Sequence, residues 1–316
     1  MSHQECVAIG IDLGGTNIKA GIVNDRGEVV YRLALPTEAN LGGKALLQRI
    51  IVIVEQLSDE TRERGWSLIG TGIGTAGQVN HTEGIVMGAT ANLPGWAGMK
   101  LGDQLRSLTG LPVFVDNDAN AMAFGEAWVG SGRKWRNFVC VTLGTGVGGC
   151  LIVDRKPYRG RSGYAGELGH HVIIDGGEPC NCGRSGCWEQ YASVTGLMRM
   201  ARQVDPEAKE LVSPKAVFSL AREDHKLAAE LVHQYARYIA IGLANLIHIL
   251  NPEGIVVGGA ITKQGDFLLD RVREELASSL LPVYRNPSET IDLVAAMLED
   301  DGGVIGAAAG VFEKMK

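Results

Sequence analysis

Three cysteines and a nearby histidine form the densest group of metal-ligating side chains in the sequence. Cys180, Cys182 and Cys187 fall within eight residues, and His170 and His171 lie about ten residues before them. Three thiolates and one imidazole are the donor set of a closed, structural Zn²⁺ site. Four protein ligands leave no coordination position for a reacting molecule. The pattern therefore predicts a zinc ion that holds a loop, and not one that activates water.

Only one of the two adjacent histidines can complete this donor set. If the segment is extended, neighbouring side chains point to opposite sides, so either His170 or His171 reaches the metal but not both. The competing interpretation is three buried cysteines without a metal. Such dense spacing in a reducing compartment favours a metal over both free thiols and disulfides.

Three short glycine-containing turns follow aliphatic strands in different parts of the chain. They are Gly14-Gly15-Thr16, Gly144-Thr145-Gly146 and Gly258-Gly259. Glycine lets backbone N–H groups approach an anion closely, and a neighbouring hydroxyl adds a donor, so such turns can bind phosphate groups. None matches the P-loop or the dinucleotide-binding fingerprint. A plain β-hairpin turn uses the same residue types and stays an alternative for each turn taken alone.

A run of polar side chains, Asp116-Asn117-Asp118-Ala119-Asn120, follows the aliphatic residues 113–115. A helix cap explains one such residue, since Asp and Asn are favoured at helix N-termini. Four polar groups exceed what a cap needs. Ligands of open α/β sheets bind at the carboxyl ends of strands, so the run is typical of a sugar-binding or base-bearing site.

The elements that must position these residues alternate between strands and helices. The patterns predict three strands within residues 7–35, a helix over 43–64 and a strand over 68–74. Further strands are predicted at 138–143, 147–153 and 255–260, and helices at 224–250, at 266–279 and from 304 onward. This alternation is typical of an α/β fold.

The opening pattern of strand, glycine turn and strand occurs twice. The turns at Gly14 and Gly144 lie about 130 residues apart, and Asp25-Arg26 matches Asp154-Arg155 at nearly the same offset. An internal duplication explains this, although any two β-hairpins look alike. We expect a smaller α/β domain of residues 1–117 plus 302–316 and a larger one of residues 118–301.

Composition and charge narrow the function classes. The chain has 316 residues, of which 43 are glycine, and a net charge of −6. A mildly acidic chain does not attract a phosphate backbone in general, although a local basic patch is not excluded. No window is apolar enough to span a membrane, and the N-terminus lacks a signal-peptide core. We expect a cytoplasmic protein.

Taken together, the motifs resemble the ROK family (repressors, open reading frames, sugar kinases). The motifs on which the resemblance rests are Asp12-Leu13-Gly14-Gly15-Thr16, the run 143–149, Glu167-Leu168-Gly169-His170, and Cys-x-Cys-Gly-x-x-Gly-Cys-x-Glu at 180–189. The resemblance covers nearly the whole chain. It implies an actin-like (ribonuclease H-like) fold of two domains with a cleft between them. It also implies phosphorylation of the 6-hydroxyl of a hexose by ATP, with D-glucose the expected sugar.

The resemblance assigns roles residue by residue. Asp118 is implied as the catalytic base. The implied sugar-binding residues are Gly77, Asn92, Asn117, Asp118, Glu167, His170 and Glu189. The nucleotide phosphates and Mg²⁺ are assigned to Asp12, Gly14, Gly15, Thr16, Asn17, Lys19, Gly144, Thr145 and Gly146, and the adenosine to Gly258 and Gly259. His170, Cys180, Cys182 and Cys187 are the implied zinc ligands. Ala76 and Cys150 depart from the family pattern, where proline and glycine are frequent.

Several alternatives remain open. N-acetylmannosamine and other hexose kinases share these motifs. Regulators of the family carry a helix-turn-helix before the first glycine turn, for which a strand starting at Val7 leaves no room, and Asp118 favours an enzyme. The sugar-facing residues argue against an assembly protein of the actin type. The resemblance also implies a homodimer or homotetramer, and we expect small-molecule partners (a sugar and MgATP), no nucleic acid and no membrane.

Overall fold

A computed structural model gives the structure of residues 4–88, 92–204, 210–286 and 289–315. The chain divides into two compact units. Unit 1 comprises Met1–Arg136, Cys150–Gly166 and Met297–Lys316, and unit 2 comprises Asn137–Gly149 and Glu167–Ala296. The chain passes from unit 2 to unit 1 within a strand, at residues 149–150.

The described residues form strands and helices in alternation. The strands are β1 Cys6–Leu13, β2 Asn17–Asn24, β3 Val29–Pro36, β4 Ser67–Thr75, β5 Val79–Asn80, β6 Ile85–Val86, β7 Val113–Asn117, β8 Phe138–Leu143, β9 Val147–Val153, β10 Lys156–Pro157, β11 Gly254–Gly258 and β12 Asp292–Ala295. The helices are α1 Gly43–Glu63, α2 Leu101–Thr109, α3 Asp118–Trp128, α4 Glu189–Ala192, α5 Val194–Val204, α6 Pro214–Arg222, α7 Lys226–Leu250, α8 Asp266–Ser279 and α9 Gly302–Lys314. The three strands predicted within 7–35 and the helices predicted at 43–64 and 266–279 are confirmed. Helices α5 and α6 were not predicted.

The sheet of unit 1 brings three strand ends to one edge. Its strand order is β3-β2-β1-β4-β7. Strand β2 is antiparallel to both β1 and β3, whereas β1, β4 and β7 are parallel to one another. In this register Asp12 lies beside Gly74, and Thr75 lies beside Asn117. The carboxyl ends of the parallel strands therefore place Asp12 and Asn117 at the same edge of the sheet.

Both faces of this sheet are covered, because side chains alternate between the faces along each strand. Ile9 and Ile11 belong to the apolar cluster that also holds the buried stripe of α1. Ala8 belongs to the opposite cluster, with Val304 and other residues of α9. A fully buried layer on each face fits the nearly continuous apolar sequence of β1.

The sheet in which unit 2 begins has the order β10-β9-β8-β11-β12, which is the order of the first sheet. β8, β11 and β12 are parallel, as β1, β4 and β7 are. The shared order supports the predicted duplication. In each sheet the turn between the first two strands along the chain is a glycine turn.

Contacts assign residues 118–136 and 150–166 to unit 1, whereas the sequence-based division places them in the larger domain. Helix α3 packs tightly on α9 of the same unit, because Gly306 lets the two backbones approach. A Cβ at 306 would overlap the carbonyl oxygen of Ala121. Within the described residues, no helix combines the length and the apolar character that crossing a membrane requires.

Candidate active site

The first glycine turn of unit 1 is braced by a residue that sequence reasoning missed. The N–H of Gly14 donates to the Asn17 carbonyl oxygen at 3.1 Å. Thr37, which is fully buried, donates its N–H to the Thr16 carbonyl oxygen and its hydroxyl to that of Gly14, at 2.8 and 2.7 Å. The turn residues 15–17 are exposed and held in one shape, as a phosphate-binding turn requires.

Asp12 and Lys19 lie opposite each other on β1 and β2, next to this turn. Burial and the charge of Asp118 raise the pKa of Asp12 from its ordinary 3.8 to about 6, Asp300 adds to the rise, and Lys19 opposes it. The Nζ of Lys19 donates to Asp300 Oδ1 at 2.6 Å. A cation beside Asp12 would stabilise its ionised form, and carboxylate oxygens are the ligands that Mg²⁺ prefers.

Asp118, the predicted base, is the first residue of α3 and is half-buried at the end of β7. Its Oδ1 accepts the N–H of Ala119 at 2.9 Å. Asp118 is therefore an accessible acceptor held at the carboxyl edge of the sheet.

Asn117 acts as the cap that the sequence left as an alternative. Its side-chain oxygen accepts the N–H groups of Ala119 and Asn120, and its Nδ2 donates to the Gly77 carbonyl oxygen at 3.1 Å. Asn117 thus fixes both the start of α3 and the position of Gly77. Asn92 is exposed, and a Cβ at Gly15 would lie 3.6 Å from the Asn92 Cβ, so Asn92 lies beside the first glycine turn.

The expectation that all four polar residues of 116–120 form a site is wrong for Asp116 and Asn120. Both are almost fully buried, and Asn120 Nδ2 donates to Asp116 Oδ1 at 2.8 Å. Asp116 Oδ2 accepts two hydrogen bonds from Arg159, at 2.6 and 2.9 Å. Strand alternation accounts for the difference, because Asp116 shares the face of Phe114 whereas Asn117 shares that of Val115. Nothing in the sequence identified Arg159 as the partner.

The second glycine turn, Gly144-Thr145-Gly146 in unit 2, is held by residues that follow the cysteine loop, which is the segment 180–187. The N–H of Val194 donates to the Gly144 carbonyl oxygen at 2.8 Å, and the Thr195 hydroxyl donates to that of Thr145 at 2.7 Å. Glu189 Oε2 accepts the N–H of Val147 at 3.0 Å. Glu189 therefore contacts the end of this turn, and a Cβ at position 146 would overlap its carboxylate oxygen.

The Gly258-Gly259 turn lies at the same edge as the second glycine turn. Gly258 pairs with Thr142 in the parallel β8–β11 ladder. Gly259 has a φ of 91°, and a Cβ there would lie 2.5 Å from the Leu143 carbonyl oxygen. The two strand ends, and with them the two glycine turns of unit 2, are brought together by the sheet register.

His170, Cys180, Cys182 and Cys187 form a compact group whose ligand atoms all lie within 4.8 Å of one another. The sulfurs of Cys182 and Cys187 are 3.6 Å apart, and His170 Nδ1 is 3.7 Å from the sulfur of Cys180. Zn–S bonds of about 2.3 Å in a tetrahedron separate the sulfurs by about 3.8 Å. The group therefore fits a tetrahedral metal ion.

The backbone around this group favours the thiolate of Cys182 and closes the loop. A hydrogen bond from the Arg184 backbone lowers the pKa of Cys182, whereas burial raises that of Cys187. Gly186 has a φ of 78°, and a Cβ there would overlap the Ile174 carbonyl oxygen. Glycine is thus required where the chain turns back toward Cys187.

His170, and not His171, belongs to the metal-ligating group. The Nδ1 of His171 lies 2.5 Å from the Leu168 carbonyl oxygen, and its ring packs on Trp188 with centroids 5.2 Å apart. The Nδ1 atom of His170 faces the sulfur of Cys180. Its other ring nitrogen, Nε2, lies 3.9 Å from Glu167 Oε2. The sequence-based choice of His170 is therefore the one that the geometry supports.

Comparison with known proteins gives a consistent result. The sequence model of the ROK family matches residues 8–314. The chain is 37% identical over 310 residues to a glucokinase of Halalkalibacterium halodurans, covering 94% of this chain and 92% of that protein. A crystal structure of a ROK family glucokinase from Streptomyces griseus, in complex with glucose and AMPPNP, superposes with a TM-score of 0.81 at 32% identity, covering 96% and 98% of the two chains.

Regulators are also related to this chain. It is 29% identical to a xylose repressor of Caldicellulosiruptor bescii over 97% of its own length and 78% of the repressor. Glucokinases and repressors are thus both relatives of this chain within one family. The expected actin-like α/β architecture is confirmed. The chain belongs to the ROK family.

Proposed function

We propose that this chain is an ATP-dependent hexose kinase that phosphorylates the 6-hydroxyl of D-glucose. The relatives named glucokinase support it, at 37% and 32% identity over nearly the full length. The observation that carries the proposal is Asp118, an accessible carboxylate at the start of α3 and at the same sheet edge as the phosphate turn.

Asp118 accepts the proton of the sugar hydroxyl as the new O–P bond forms. Phosphoryl transfer has a loose transition state, so the hydroxyl gives up its proton late and the base need not be strong. Position matters more than basicity, since a general base must lie within hydrogen-bond distance of the proton it takes. The hydrogen bond to Ala119 N–H and the rigid β7–α3 junction supply that position.

The phosphate groups need donors and counter-charge. We assign to them the turn 14–17, Lys19 and the turn 144–146, with Asp12 as the residue that would hold Mg²⁺. When bound, Mg²⁺ offsets the negative charge of the nucleotide phosphates. Asp12 fits this role because its surroundings disfavour an isolated negative charge. Gly258 and Gly259 are assigned to the adenosine.

For the sugar we assign Gly77, Asn92, Asn117, Glu167, His170 and Glu189 to its other hydroxyls. For Asn117 the assignment needs a hydrogen-bond capacity beyond its cap, because both of its polar side-chain atoms already contact the backbone. The two lone pairs of its oxygen are taken by the N–H groups of Ala119 and Asn120, whereas its NH₂ group has given only one of two hydrogens, to Gly77, so one donor site can serve a ligand.

We propose that His170, Cys180, Cys182 and Cys187 bind Zn²⁺. The sulfur separations and the donor types support this assignment. The ion would tie the cysteine loop together just before Glu189, whose carboxylate contacts the second glycine turn. Its part in the reaction is thus to fix the position of other groups, and not to bind a reacting oxygen.

The proposal is tested with a panel of sugars in the presence of MgATP. ADP formation is measured for glucose, mannose, fructose, allose and N-acetylmannosamine, with a sugar-free sample as the control for ATP hydrolysis. We expect kcat/KM for glucose to exceed that for each other sugar by at least about tenfold. The product should be identified by NMR as phosphorylated at O6. A different preferred sugar would correct the substrate, and sugar-independent ADP formation would overturn the kinase assignment.

A further inference from the structure

The carboxylate of Glu126, in the last half of α3, joins two distant stretches of unit 1. Its Oε2 accepts the N–H of Ser131 at 2.6 Å, and its Oε1 accepts the N–H of Leu298 at 2.9 Å. The side chain is fully buried. Gly130 leaves the space for it, since a Cβ there would overlap the carboxylate. A single buried side chain thus fixes the segment that leads into α9.

The segment 298–303 carries groups that surround Asp12. Asp300 accepts the hydrogen bond from Lys19 Nζ. Gly303 lies so close that a Cβ there would be 2.6 Å from the Asp12 Cγ. The position of this segment therefore determines the surroundings of both Asp12 and Lys19.

Stability alone does not account for a carboxylate at this place. Burying a charge is costly, and apolar residues of similar size often serve a protein core equally well. Two hydrogen bonds to fixed N–H groups give instead a defined geometry. They connect α3, which begins at Asp118, to the segment that contacts Asp12 and Lys19.

We propose that Glu126 is a positioning residue for the nucleotide-binding side of the site. It holds segment 298–303 where Lys19 and Asp12 are ordered to receive the phosphates and Mg²⁺. Glu126 itself touches no substrate. The inference rests on the proposed function, because it assumes that the turn 14–17 binds the nucleotide.

The first test is Glu126→Gln, which keeps the size of the side chain. The Gln oxygen accepts one N–H, while its NH₂ group faces the other and loses that hydrogen bond. Calorimetry with AMPPNP and Mg²⁺ should show a Kd raised by about tenfold, the usual effect of losing one hydrogen bond to a charged group. The Kd for glucose should stay within about twofold, since Asp118 and Asn117 are held by β7.

Two further variants separate positioning from general damage. Asp301→Asn is the matched control in the same segment. Asp301 pairs with Arg32 at 2.7 Å, whereas Lys19 pairs with Asp300, so the loss of the Asp301 charge should change nucleotide affinity by less than about twofold. Leu298→Pro removes the N–H group that donates to Glu126, at a φ of −83° that proline tolerates. It should raise the nucleotide Kd as Glu126→Gln does. It therefore keeps the inference testable if Glu126→Gln fails to fold.

A double-variant comparison tests the route of the effect. If Glu126 acts through Lys19, Glu126→Gln should cost little nucleotide affinity in a Lys19→Met background. Equal weakening of glucose and nucleotide binding, unchanged nucleotide affinity, or an undiminished loss in a background that combines Lys19→Met with Asp12→Asn would each overturn the inference. If the unmodified protein bound no AMPPNP, the proposed function would fail as well. Binding by the unmodified protein with no change in Glu126→Gln would overturn this inference alone.

Discussion

Asp12 is a carboxyl group in unfavourable surroundings, and its pKa shows this. Burial and the charge of Asp118 raise that pKa from 3.8 to about 6. Between these values the unfolded chain has lost the proton while the folded chain retains it, so folding stability falls as the pH rises through this window. Above pH 6 the full cost is present. A destabilising charge of this kind is typical of functional residues. At Asp12, bound Mg²⁺ would offset the negative charge and relieve this cost in stability.

Asp12→Asn should therefore stabilise the protein in the absence of nucleotide and Mg²⁺. We expect a Tm increase of a few degrees at pH 7.5, corresponding to roughly 1–3 kcal/mol, and little gain near pH 4.5. Thermal unfolding at the two pH values measures it. Asp103→Asn, on an exposed helix face, is the control and should show no such pH-dependent gain. A destabilised Asp12→Asn at pH 7.5 would contradict the assigned surroundings of Asp12.

Residues with local signals were predictable, and those with distant partners were not. The spacing of the three cysteines indicates a metal site by itself, whereas the roles expected of Asp118 and His170 came from the resemblance of their motifs to those of the family. Thr37, Arg159 and Glu126 bond to groups 23, 43 and 172 positions away. No local pattern reports such a pairing, because the folded sheet creates the proximity.

At the scale of elements, the proposed zinc ion would hold the cysteine loop together. Cys187→Ser should reduce zinc content from about one ion per chain to a small fraction, since serine replaces a thiolate with a poor zinc ligand. It should also lower Tm, because the loop before Glu189 loses its cross-link. Metal analysis of the purified protein and thermal unfolding measure both effects.

Cys6→Ser is the matched control for this variant. Cys6 is exposed and lies outside the ligand group, so zinc content and Tm should be unchanged. An unmodified protein free of zinc, or a Cys187→Ser variant that retains a full complement, would contradict the proposed metal site.

The contact between α3 and α9 depends on the absence of side chains. Gly306→Ala should destabilise the protein by about 2–3 kcal/mol, because its Cβ would overlap the Ala121 carbonyl oxygen. Gly302→Ala, in the same helix, is the control. Its nearest neighbour would be Met122 Cγ at 3.3 Å, an atom of a flexible side chain that can adjust by a few tenths of an ångström, so its effect should be small. Denaturant unfolding compares the two, and equal effects would refute the close-packing account.

The elements themselves could largely be read from the sequence. The hairpin of β1 and β2 and helix α8 were predicted because aliphatic runs and helical spacing are local signals. The assignment of α3 to unit 1 was not, because it depends on glycine contacts with α9, which lies nearly 180 positions further along the chain.

At the scale of the whole molecule, the repeated sheet order relates the two glycine turns. Each follows the first strand of a five-stranded sheet, β1 in one and β8 in the other. A duplication would give each unit one glycine turn, for which we propose phosphate binding, while the proposed base and the metal-ligating group lie in different units. Asp118 lies in unit 1, and the cysteine loop lies in unit 2.

The central claim is that Asp118 takes the proton of the sugar hydroxyl during transfer from ATP. The most direct measurement is kcat for glucose and MgATP in Asp118→Asn, together with the Kd for glucose by calorimetry. We predict that kcat falls by about 10²- to 10⁴-fold while the glucose Kd changes by less than about threefold. A folded variant with kcat near that of the unmodified protein would contradict the claim.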